Sequence, residues 1–506
     1  MENLEQQNAK PKMTLIALVL MIFTSVYGFT NIPKAFWLMG YSSIIWYILA
    51  ALLFFIPYAF MLAEFGAAFK DSKGGIYSWM AQSFNAKFAF IGIFMWYASY
   101  VIWMVNVGTG IWVPLSNIIF GEDRTQSWSL FGLNGVQTLA ILGILFVIFV
   151  TWVSSHGIEK IQKFTSLGGA ATALINVVVL LCGVIILVKN GHMAEPLSLQ
   201  AFVHSPNPNY QSVLSVLSFL VFAVFAYGGL EVVGGLVDET EKPEKTFPKA
   251  ILLSAIIIAV GYAVLIFIMG AFTDWEFAFN KFVGGPEHVT MANVAYVALN
   301  NMGYQMGLAF GASDPTAVII GQWVARYVGV SMFLALGGAY FTIVFSPLKQ
   351  LIEGTPKELW PKSWSKTNKH GMPVTAMKWQ ATIVAVIIAL VSFGGSSAAK
   401  FFDILVAMTN VSMTLPYMFI AFTFIGFKKK TEIEKPFEIY KKPWQAKLAV
   451  WIVLFVVGFA NIFTIIQPAI DGDVAKTIWS IAGPVFFGIV AYVMFTRYEK
   501  KTGKKA

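Results

Sequence analysis

The stretch from residue 13 to residue 40 is apolar and long enough to cross a lipid bilayer, yet it is interrupted near its middle. The interruption is Thr24-Ser25-Val26-Tyr27-Gly28, and Pro33 follows it. Lipid offers the backbone no hydrogen-bond partner, so an opened helix at this depth persists only where it is buried in protein or faces a polar cavity. The sequence therefore predicts a broken membrane helix, a feature that marks binding sites near the bilayer midplane.

The composition of the chain indicates a polytopic membrane protein. Of its 506 residues, 57% are hydrophobic and only 12% are charged, which is more apolar surface than one soluble core would hide. Each crossing takes about 20 mostly apolar residues. Windows of this kind predict an all-α protein with twelve transmembrane helices, at 13–38, 42–66, 88–118, 137–155, 164–188, 211–237, 249–272, 322–348, 374–393, 401–427, 448–470 and 475–496.

The distribution of positive charge predicts the orientation of these spans. With the N-terminus inside, all but seven of the 35 Lys and Arg residues fall on the cytoplasmic side. The exceptions are Lys34, Arg124, Lys189, Lys281, Arg326, Lys400 and Lys476. This bias has the sign of the positive-inside rule. We therefore expect a multi-pass protein of the inner or plasma membrane, with both termini in the cytoplasm.

Several classes of function find no support in the sequence. The net charge of +9 sits mainly in loops facing the anionic inner leaflet, so we expect no nucleic-acid partner. Lys428-Lys429-Lys430 fits the same topogenic pattern, although recognition of a lipid head group is an alternative. There is one cysteine, Cys182, and the five histidines lack metal-ligand spacing, so no metal, cofactor or enzyme is predicted.

The sixth span carries a second interruption near its centre. Ala226-Tyr227-Gly228-Gly229-Leu230 places two adjacent glycines there, and Gly234-Gly235 follows one turn later. Glycine also allows close helix packing in membranes, which is the alternative interpretation. Because interrupted segments at corresponding positions of two repeats indicate a midplane substrate site, we expect the first and sixth spans to form one.

Five further sequence runs resemble the amino acid-polyamine-organocation superfamily, with details closest to its glutamate:GABA antiporter-like branch. The second span ends in Ala63-Glu64-Phe65-Gly66, and Lys73-Gly74-Gly75-Ile76-Tyr77-Ser78-Trp79 follows it. The sixth span ends in Glu239 to Ala250, similar to the family run E-x-x-x-P-x-x-x-x-P-[KR]-A. After the eighth span, Leu359-Trp360-Pro361 and Asn368 to Pro373 resemble L-[FW]-P and N-x-x-G-x-P.

This resemblance implies a LeuT-like fold made of two inverted five-helix repeats, with the first and sixth helices broken. The segments would be a cytoplasmic tail at 1–12, a first repeat at 13–190, a second repeat at 206–427, two added spans at 445–498 and a second tail at 499–506. Residues 26–33 resemble the family pattern G-[ST]-G-[IV]-F-x-x-P, of which they keep Gly28 and Pro33.

The resemblance also implies roles for residues at the two breaks. The N–H groups of Tyr27, Gly28 and Phe29 would hold a substrate carboxylate, because a helix N-terminus carries partial positive charge. Carbonyl groups around residues 22–25 and 225–227 would face the ammonium group. The complete predicted substrate site is Ser25, Val26, Tyr27, Gly28, Phe29, Phe225, Ala226, Tyr227, Gly228 and Tyr340. We expect the bulk of Val26 and Tyr27 to favour a slender substrate side chain.

The resemblance also extends to Phe225 and Tyr340, and the sixth span contains the acidic residue Glu231. Phe225 matches an aromatic residue that caps the substrate, with core packing as the alternative. Tyr340 stands one residue beyond the matching family position, and one residue turns a helix by about 100°. Glu231 lies deep in the sixth span, where a carboxylate costs on the order of 3 kcal/mol. It is therefore either a proton carrier or pH sensor, or a hydrogen-bonded strut between helices.

The sequence as a whole predicts a secondary active transporter of amino acids or their amine derivatives. It would work by alternating access, through exchange or proton coupling, with a small molecule and the lipid bilayer as its partners. A receptor without turnover and a channel are the alternatives. No oligomeric state is predicted.

Overall fold

A computed structural model describes residues 12–291 and 293–503, and almost all regular structure in these residues is helical. Extended pairing among them amounts to one isolated bridge between Met13 and Thr240. The α-helices in chain order are α1 (Leu15–Val26), α2 (Asn31–Met39), α3 (Ser43–Ala50), α4 (Ile56–Ala68), α5 (Ile76–Ser83), α6 (Ala86–Gly110), α7 (Trp112–Phe120), α8 (Gly135–Ser154), α9 (Ile158–Asn190), α10 (Leu199–Val203), α11 (Val213–Phe225), α12 (Pro243–Met269), α13 (Val294–Ala309), α14 (Asp314–Ile352), α15 (Val374–Phe393), α16 (Gly395–Lys429), α17 (Pro443–Ile470) and α18 (Val474–Thr502).

Shorter helical turns connect several of these helices. A π-helical segment, Ala51–Phe55, joins α3 to α4, and a second, Phe277–Lys281, lies in the segment after α12. The 3₁₀ segments are Gly40–Ser42, Thr125–Ser127, Pro208–Tyr210, Leu230–Leu236, Pro286–His288 and Lys357–Leu359.

The described residues contain eleven helical stretches that are long and apolar enough to cross a membrane. The first of them, Leu15–Ala68, has 54 residues, whereas one crossing needs about 20. It includes both of the first two windows predicted from the sequence. An all-helical polytopic membrane protein is thus confirmed, with an observed count of eleven such stretches.

The chain is interrupted where the sequence predicts it. Helix α1 ends at Val26 and α2 begins at Asn31. Helix α11 ends at Phe225, and after a turn the chain continues as the 3₁₀ segment Leu230–Leu236 instead of an α-helix. Both predicted breaks are therefore confirmed as locations, while the second half of the sixth span has a tighter helical form than expected.

Helix α1 packs against α9, α12 and α14. The last two helices, α17 and α18, pack against α16 and against each other. Helix α13 fills the connection between α12 and α14, a region that the sequence analysis left without an element. Helix α14 begins at Asp314, eight residues before the predicted window at 322, and Pro315 lies in its first turn.

Glu64 explains why one of the family-like motifs needs an acidic residue. Its side chain is fully buried, and one carboxylate oxygen accepts hydrogen bonds from the backbone N–H groups of Ile439 (2.7 Å) and Tyr440 (2.8 Å). The other oxygen accepts a hydrogen bond from the ammonium of Lys428 at 2.9 Å. Lys428 also pairs with Glu438 at 2.6 Å. Lys428 therefore joins α16 to α4, a role beyond the topogenic one expected for the lysine run.

The glycine motif at residues 73–75 packs against the broken sixth span. Gly75 has a φ of +46°, and a Cβ there would lie 2.4 Å from Oε1 of Gln350. That oxygen accepts a hydrogen bond from Ile76 N–H at 2.9 Å, while the Gln350 amide donates to the carbonyl of Val232 at 3.2 Å. Gln350 thereby joins the α4–α5 loop, the 3₁₀ segment and α14. We call this side, which also carries Met13 and Thr240, the amino-terminal face.

The buried pair at Glu64 leads to a stability prediction. Glu64→Gln removes the charge that holds Lys428, so we expect the free energy of unfolding to fall by about 2–3 kcal/mol. Thermal unfolding of the purified protein in detergent measures this as a lower apparent Tm. The control is Glu438→Gln, because Glu438 is 37% exposed in its pair with Lys428, and an exposed pair contributes less than about 1 kcal/mol. Equal Tm values for the two variants would contradict this role of Glu64.

Candidate functional site

The hydroxyl group of Tyr262 on α12 connects the two broken helices. It accepts hydrogen bonds from the backbone N–H of Gly28 at 3.1 Å and from the side-chain amide of Asn31 at 3.3 Å. It donates to the carbonyl of Ala226 at 3.2 Å. One hydroxyl supplies one donor and two acceptor sites, so all of its capacity is used. The side chain is fully buried, and it fixes both breaks at the same depth.

The two breaks also touch directly at Gly229. Gly229 has a φ of +108°, and a Cβ there would lie 2.4 Å from the carbonyl oxygen of Ser25. Its N–H donates to the hydroxyl of Tyr417 at 3.2 Å. A Cβ on Gly228 would lie 2.6 Å from that same hydroxyl. Glycine is therefore required here both by the positive φ of Gly229 and by the close contact of the pair with Ser25 and Tyr417. The pair thus serves the helix break and close packing, the two interpretations that the sequence left open.

A cavity of about 800 Å³ opens between the breaks, within the size range of small-molecule sites. Its walls come from the first break and α2, from α6 and α7, from α9, from the second break, from α13 and α14, and from α16 and α17. The polar and aromatic lining residues are Thr24, Ser25, Tyr27, Phe29, Thr30, Asn31, Lys34, Tyr100, Trp103, Thr172, Phe225, Tyr296, Asn410, Thr414, Tyr417 and Thr464.

Most of the residues predicted for the site line this cavity. They are Ser25, Val26, Tyr27, Gly28, Phe29, Phe225, Ala226 and Gly228. Tyr227 does not line it, because its buried ring stacks on Phe55 at 4.6 Å and its hydroxyl donates to the carbonyl of Tyr47. Tyr227 thus packs behind the second break.

Tyr340 also lies outside the cavity wall. Its hydroxyl donates to the carbonyl of Met104 at 3.3 Å, and its ring packs against Phe146. The neighbouring Ala339 lines the cavity in its place. The reason is the rotation of about 100° per helical residue, which turns position 340 away when position 339 faces the cavity.

The predicted set of backbone groups at the first break needs correction. The N–H of Tyr27 donates to the carbonyl of Phe23 at 2.9 Å, and that of Gly28 is held by Tyr262 and the carbonyl of Val26. Within residues 12–291 and 293–503, the N–H groups of Phe29 and Thr30 have no hydrogen-bond partner. Of the three predicted N–H groups, that of Phe29 is therefore free to bind an anion and those of Tyr27 and Gly28 are not, while the N–H of Thr30, which was not predicted, is free among the described residues.

The carbonyl groups at the end of α1 agree better with the expectation. In the described part of the chain, no donor reaches the carbonyl oxygens of Thr24 and Ser25. The hydroxyl groups of the same two residues point back along the helix, since both donate to the carbonyl of Met21. The first break thus presents free carbonyl oxygens on one side and free N–H groups on the other.

Glu231 lies behind the cavity wall, where it is fully buried. Its Oε1 accepts hydrogen bonds from the indole N–H of Trp96 at 3.1 Å and from the hydroxyl of Tyr100 at 3.3 Å. Its Oε2 has no hydrogen-bond partner among the described residues. Tyr100 lines the cavity, so one hydroxyl separates the carboxyl group from it. The contacts to α6 fit a strut, and the unpaired oxygen leaves room for a proton.

The sequence analysis missed Tyr262, Tyr417 and Tyr100 as functional residues. Tyr262 lies 234 residues from Gly28, Tyr417 lies 188 residues from Gly229, and Tyr100 lies 131 residues from Glu231. A tyrosine in an apolar span is ordinarily read as packing, so the sequence carries no local signal for these contacts. These tyrosines could have been sought on general grounds, because an opened backbone in a membrane needs polar partners from neighbouring helices.

Comparison with known proteins agrees with this geometry. Residues 13–494 match the family model described as amino acid permease. The chain is 49% identical over 492 residues to the inner membrane transporter YjeM of Salmonella typhimurium, covering 97% of both chains. It is 25% identical to the aspartate/glutamate permease AcaP of Lactococcus lactis subsp. cremoris, covering 88% of this chain and 86% of that protein. It is 22% identical to a glutamate/gamma-aminobutyrate antiporter of Lactococcus lactis subsp. lactis, covering 89% and 83%.

The Tyr262 hydroxyl can be tested by removing it alone. Tyr262→Phe leaves Gly28 N–H, the Asn31 amide and the Ala226 carbonyl without their partner, so we expect a loss of about 2 kcal/mol in the free energy of unfolding. The lower apparent Tm is measured on purified protein. The control is Tyr58→Phe, because the buried Tyr58 hydroxyl has no partner among the described residues. If both variants unfold at the wild-type temperature, Tyr262 does not hold the breaks.

Proposed function

The chain belongs to the amino acid permease family, and we propose that it is a secondary active transporter of amino acids or their amine derivatives. It is a transporter by family and not an enzyme. The observation that carries the proposal is the first break, where free N–H groups and free carbonyl oxygens border one cavity. These are the two kinds of group that recognise the carboxylate and the ammonium of an α-amino acid.

In the proposed binding mode, the substrate carboxylate accepts hydrogen bonds from the N–H groups of Phe29 and Thr30. These groups stand just before α2, at the helix end with partial positive charge. The ammonium group donates to the carbonyl oxygens of Thr24 and Ser25, at the negative end of α1. Support comes from the free state of all four groups in the described chain. Phe225, which lines the same cavity, would cover the bound substrate.

We further propose twelve crossings arranged as two inverted five-helix repeats with two added spans. The length of Leu15–Ala68 supports two crossings within that stretch. The positive charge of the loops supports an amino-terminal face in the cytoplasm, with both termini there. The name of the YjeM relative supports placement in the inner membrane. In this orientation Gln350 and the Gly75 region would seal the cytoplasmic side, and alternating access requires that seal to open.

Glu231 is proposed to carry the proton that couples transport. No cation forms an ion pair with it among the described residues, so a proton on Oε2 is the available counter-charge. The hydroxyl groups of Tyr100 and Tyr417 border the cavity beside it. Loss or gain of that proton would change the hydrogen bonds that α6 makes with the second break. Exchange of one substrate for another and proton coupling are both compatible with this arrangement.

Substrate binding tests the proposed function directly. Binding of a ligand to the native state alone raises the apparent Tm, by mass action. We expect at least one amino acid to do so in a panel of amino acids, polyamines and amino acid decarboxylation products added to purified protein. The same compound should show counterflow into preloaded proteoliposomes. Binding without counterflow would indicate a receptor, large unitary currents would indicate a channel, and an absence of binding across the panel would contradict the proposal.

The role of Glu231 is tested by the pH dependence of uptake. Glu231→Gln keeps the side-chain volume and an acceptor for Trp96 and Tyr100 but removes the titrating group. We expect uptake by wild-type proteoliposomes to change with pH and uptake by Glu231→Gln to be nearly constant. Glu122→Gln, on the exposed segment after α7, is the control and should keep the wild-type profile. An unchanged pH profile in Glu231→Gln would leave the residue as a strut only.

A further inference from the structure

The cavity wall contains one charged side chain among its described residues, and that side chain is Lys34. Lys34 is half-buried on α2, within the membrane-spanning stretch Leu15–Ala68. All other lining groups are neutral hydroxyl, amide, aromatic or aliphatic side chains, or backbone. The cavity therefore carries one net positive charge, which neutral α-amino acids, themselves without net charge, would not require.

Lys34 forms neither an ion pair nor a hydrogen bond through its ammonium group in the described part of the chain. The other lysines that reach into the bundle behave differently. Lys349 contacts Asp238 at 2.8 Å and Glu239 at 3.0 Å, and Lys428 contacts Glu64 at 2.9 Å. Lys349 and Lys428 are thus paired with acidic groups, whereas the cavity lysine has no acidic partner among the described residues.

The position of Lys34 makes this charge expensive to keep. It is the fourth residue of α2, and a cation near a helix N-terminus is repelled by the partial positive charge there. A charge within a membrane span is also unfavourable because lipid solvates it poorly. An anionic ligand in the cavity would offset both costs.

The geometry of α2 places Lys34 next to the proposed carboxylate site. The N–H of Lys34 donates to the carbonyl of Thr30 at 3.2 Å, so the two residues are one helical turn apart on the same face. Side chains on a helix lean toward its N-terminus. The Lys34 side chain therefore leans back toward the free N–H groups of Phe29 and Thr30, and a second anionic group a few bonds from the α-carboxylate would meet it.

We propose that Lys34 is a specificity-determining residue that binds the second carboxylate of a dicarboxylic amino acid. This inference rests on the proposed function, because the α-carboxylate and the ammonium must occupy the first break. A neutral amino acid of the same size would fill the cavity but leave Lys34 without a counter-charge. Discrimination thus comes from the cost of an unpaired cation as well as from the added contact.

The test compares L-glutamate with its isosteric neutral counterpart, L-glutamine, on the purified full-length protein. Wild type should bind glutamate about tenfold more tightly than glutamine, as one partly desolvated charge pair predicts. Lys34→Gln should lose about tenfold in glutamate affinity with little change for glutamine, and Lys34→Arg should keep the preference. Lys281→Gln is the matched control, because it removes an exposed lysine outside the cavity and should change neither affinity.

The outcomes separate this inference from the proposed function. An unchanged glutamate-to-glutamine ratio in Lys34→Gln overturns the role of Lys34 while transport of neutral amino acids stands, whereas absence of binding for every amino acid overturns both. Glutamine binding that requires chloride and is lost in Lys34→Gln would show a free anion at Lys34 and overturn the assignment. If Lys34→Gln does not fold, lysine acetylation of wild type decides: glutamate should protect Lys34 more than glutamine does, and equal protection overturns the inference.

Discussion

The hydroxyl group of Tyr262 joins the two helix breaks, whose unpaired backbone groups are unfavourable inside a bilayer. Breaking two helices at mid-membrane leaves backbone groups without partners, and lipid supplies none. Tyr262 satisfies Gly28 N–H on one break and the Ala226 carbonyl on the other, while Tyr417 satisfies Gly229 N–H. Because both breaks are anchored to the same hydroxyl, they lie at one depth and enclose a single cavity. The cavity is therefore a consequence of how the breaks are stabilised.

The hydroxyls satisfy some groups at the first break and leave others free. The N–H groups of Tyr27 and Gly28 are bonded within the protein, whereas those of Phe29 and Thr30 remain available, as do the carbonyl groups of Thr24 and Ser25. Recognition of an amino acid by these groups needs no ionised side chain. Lys34 would then bind the substrate side chain. Backbone groups would thus bind the α-carboxylate and the ammonium, while Lys34 would select among amino acids.

The sequence was sufficient for the class of fold and for the places where helices break, because apolar length, glycine pairs and charged loops are local signals. It located most of the cavity lining at the breaks. It failed where a three-dimensional contact decides the role: Tyr262 contacts the first break from 234 residues away, and Tyr417 contacts the second from 188 residues away. The prediction of Tyr340 as a cavity residue was wrong by one position, because helical rotation places Ala339 on the cavity wall. Lys34 was counted only as an external charge, because no linear pattern shows that it lacks a partner.

Binding of an amino acid at the first break through backbone groups can be observed in a cryo-electron microscopy structure of the protein with a saturating amino acid identified by its effect on Tm. We expect density in the cavity between the breaks, with the ligand carboxylate within hydrogen-bond distance of the Phe29 and Thr30 N–H groups and its ammonium facing the Thr24 and Ser25 carbonyls. An empty cavity, or a ligand bound elsewhere with these four groups unoccupied, would contradict this binding mode.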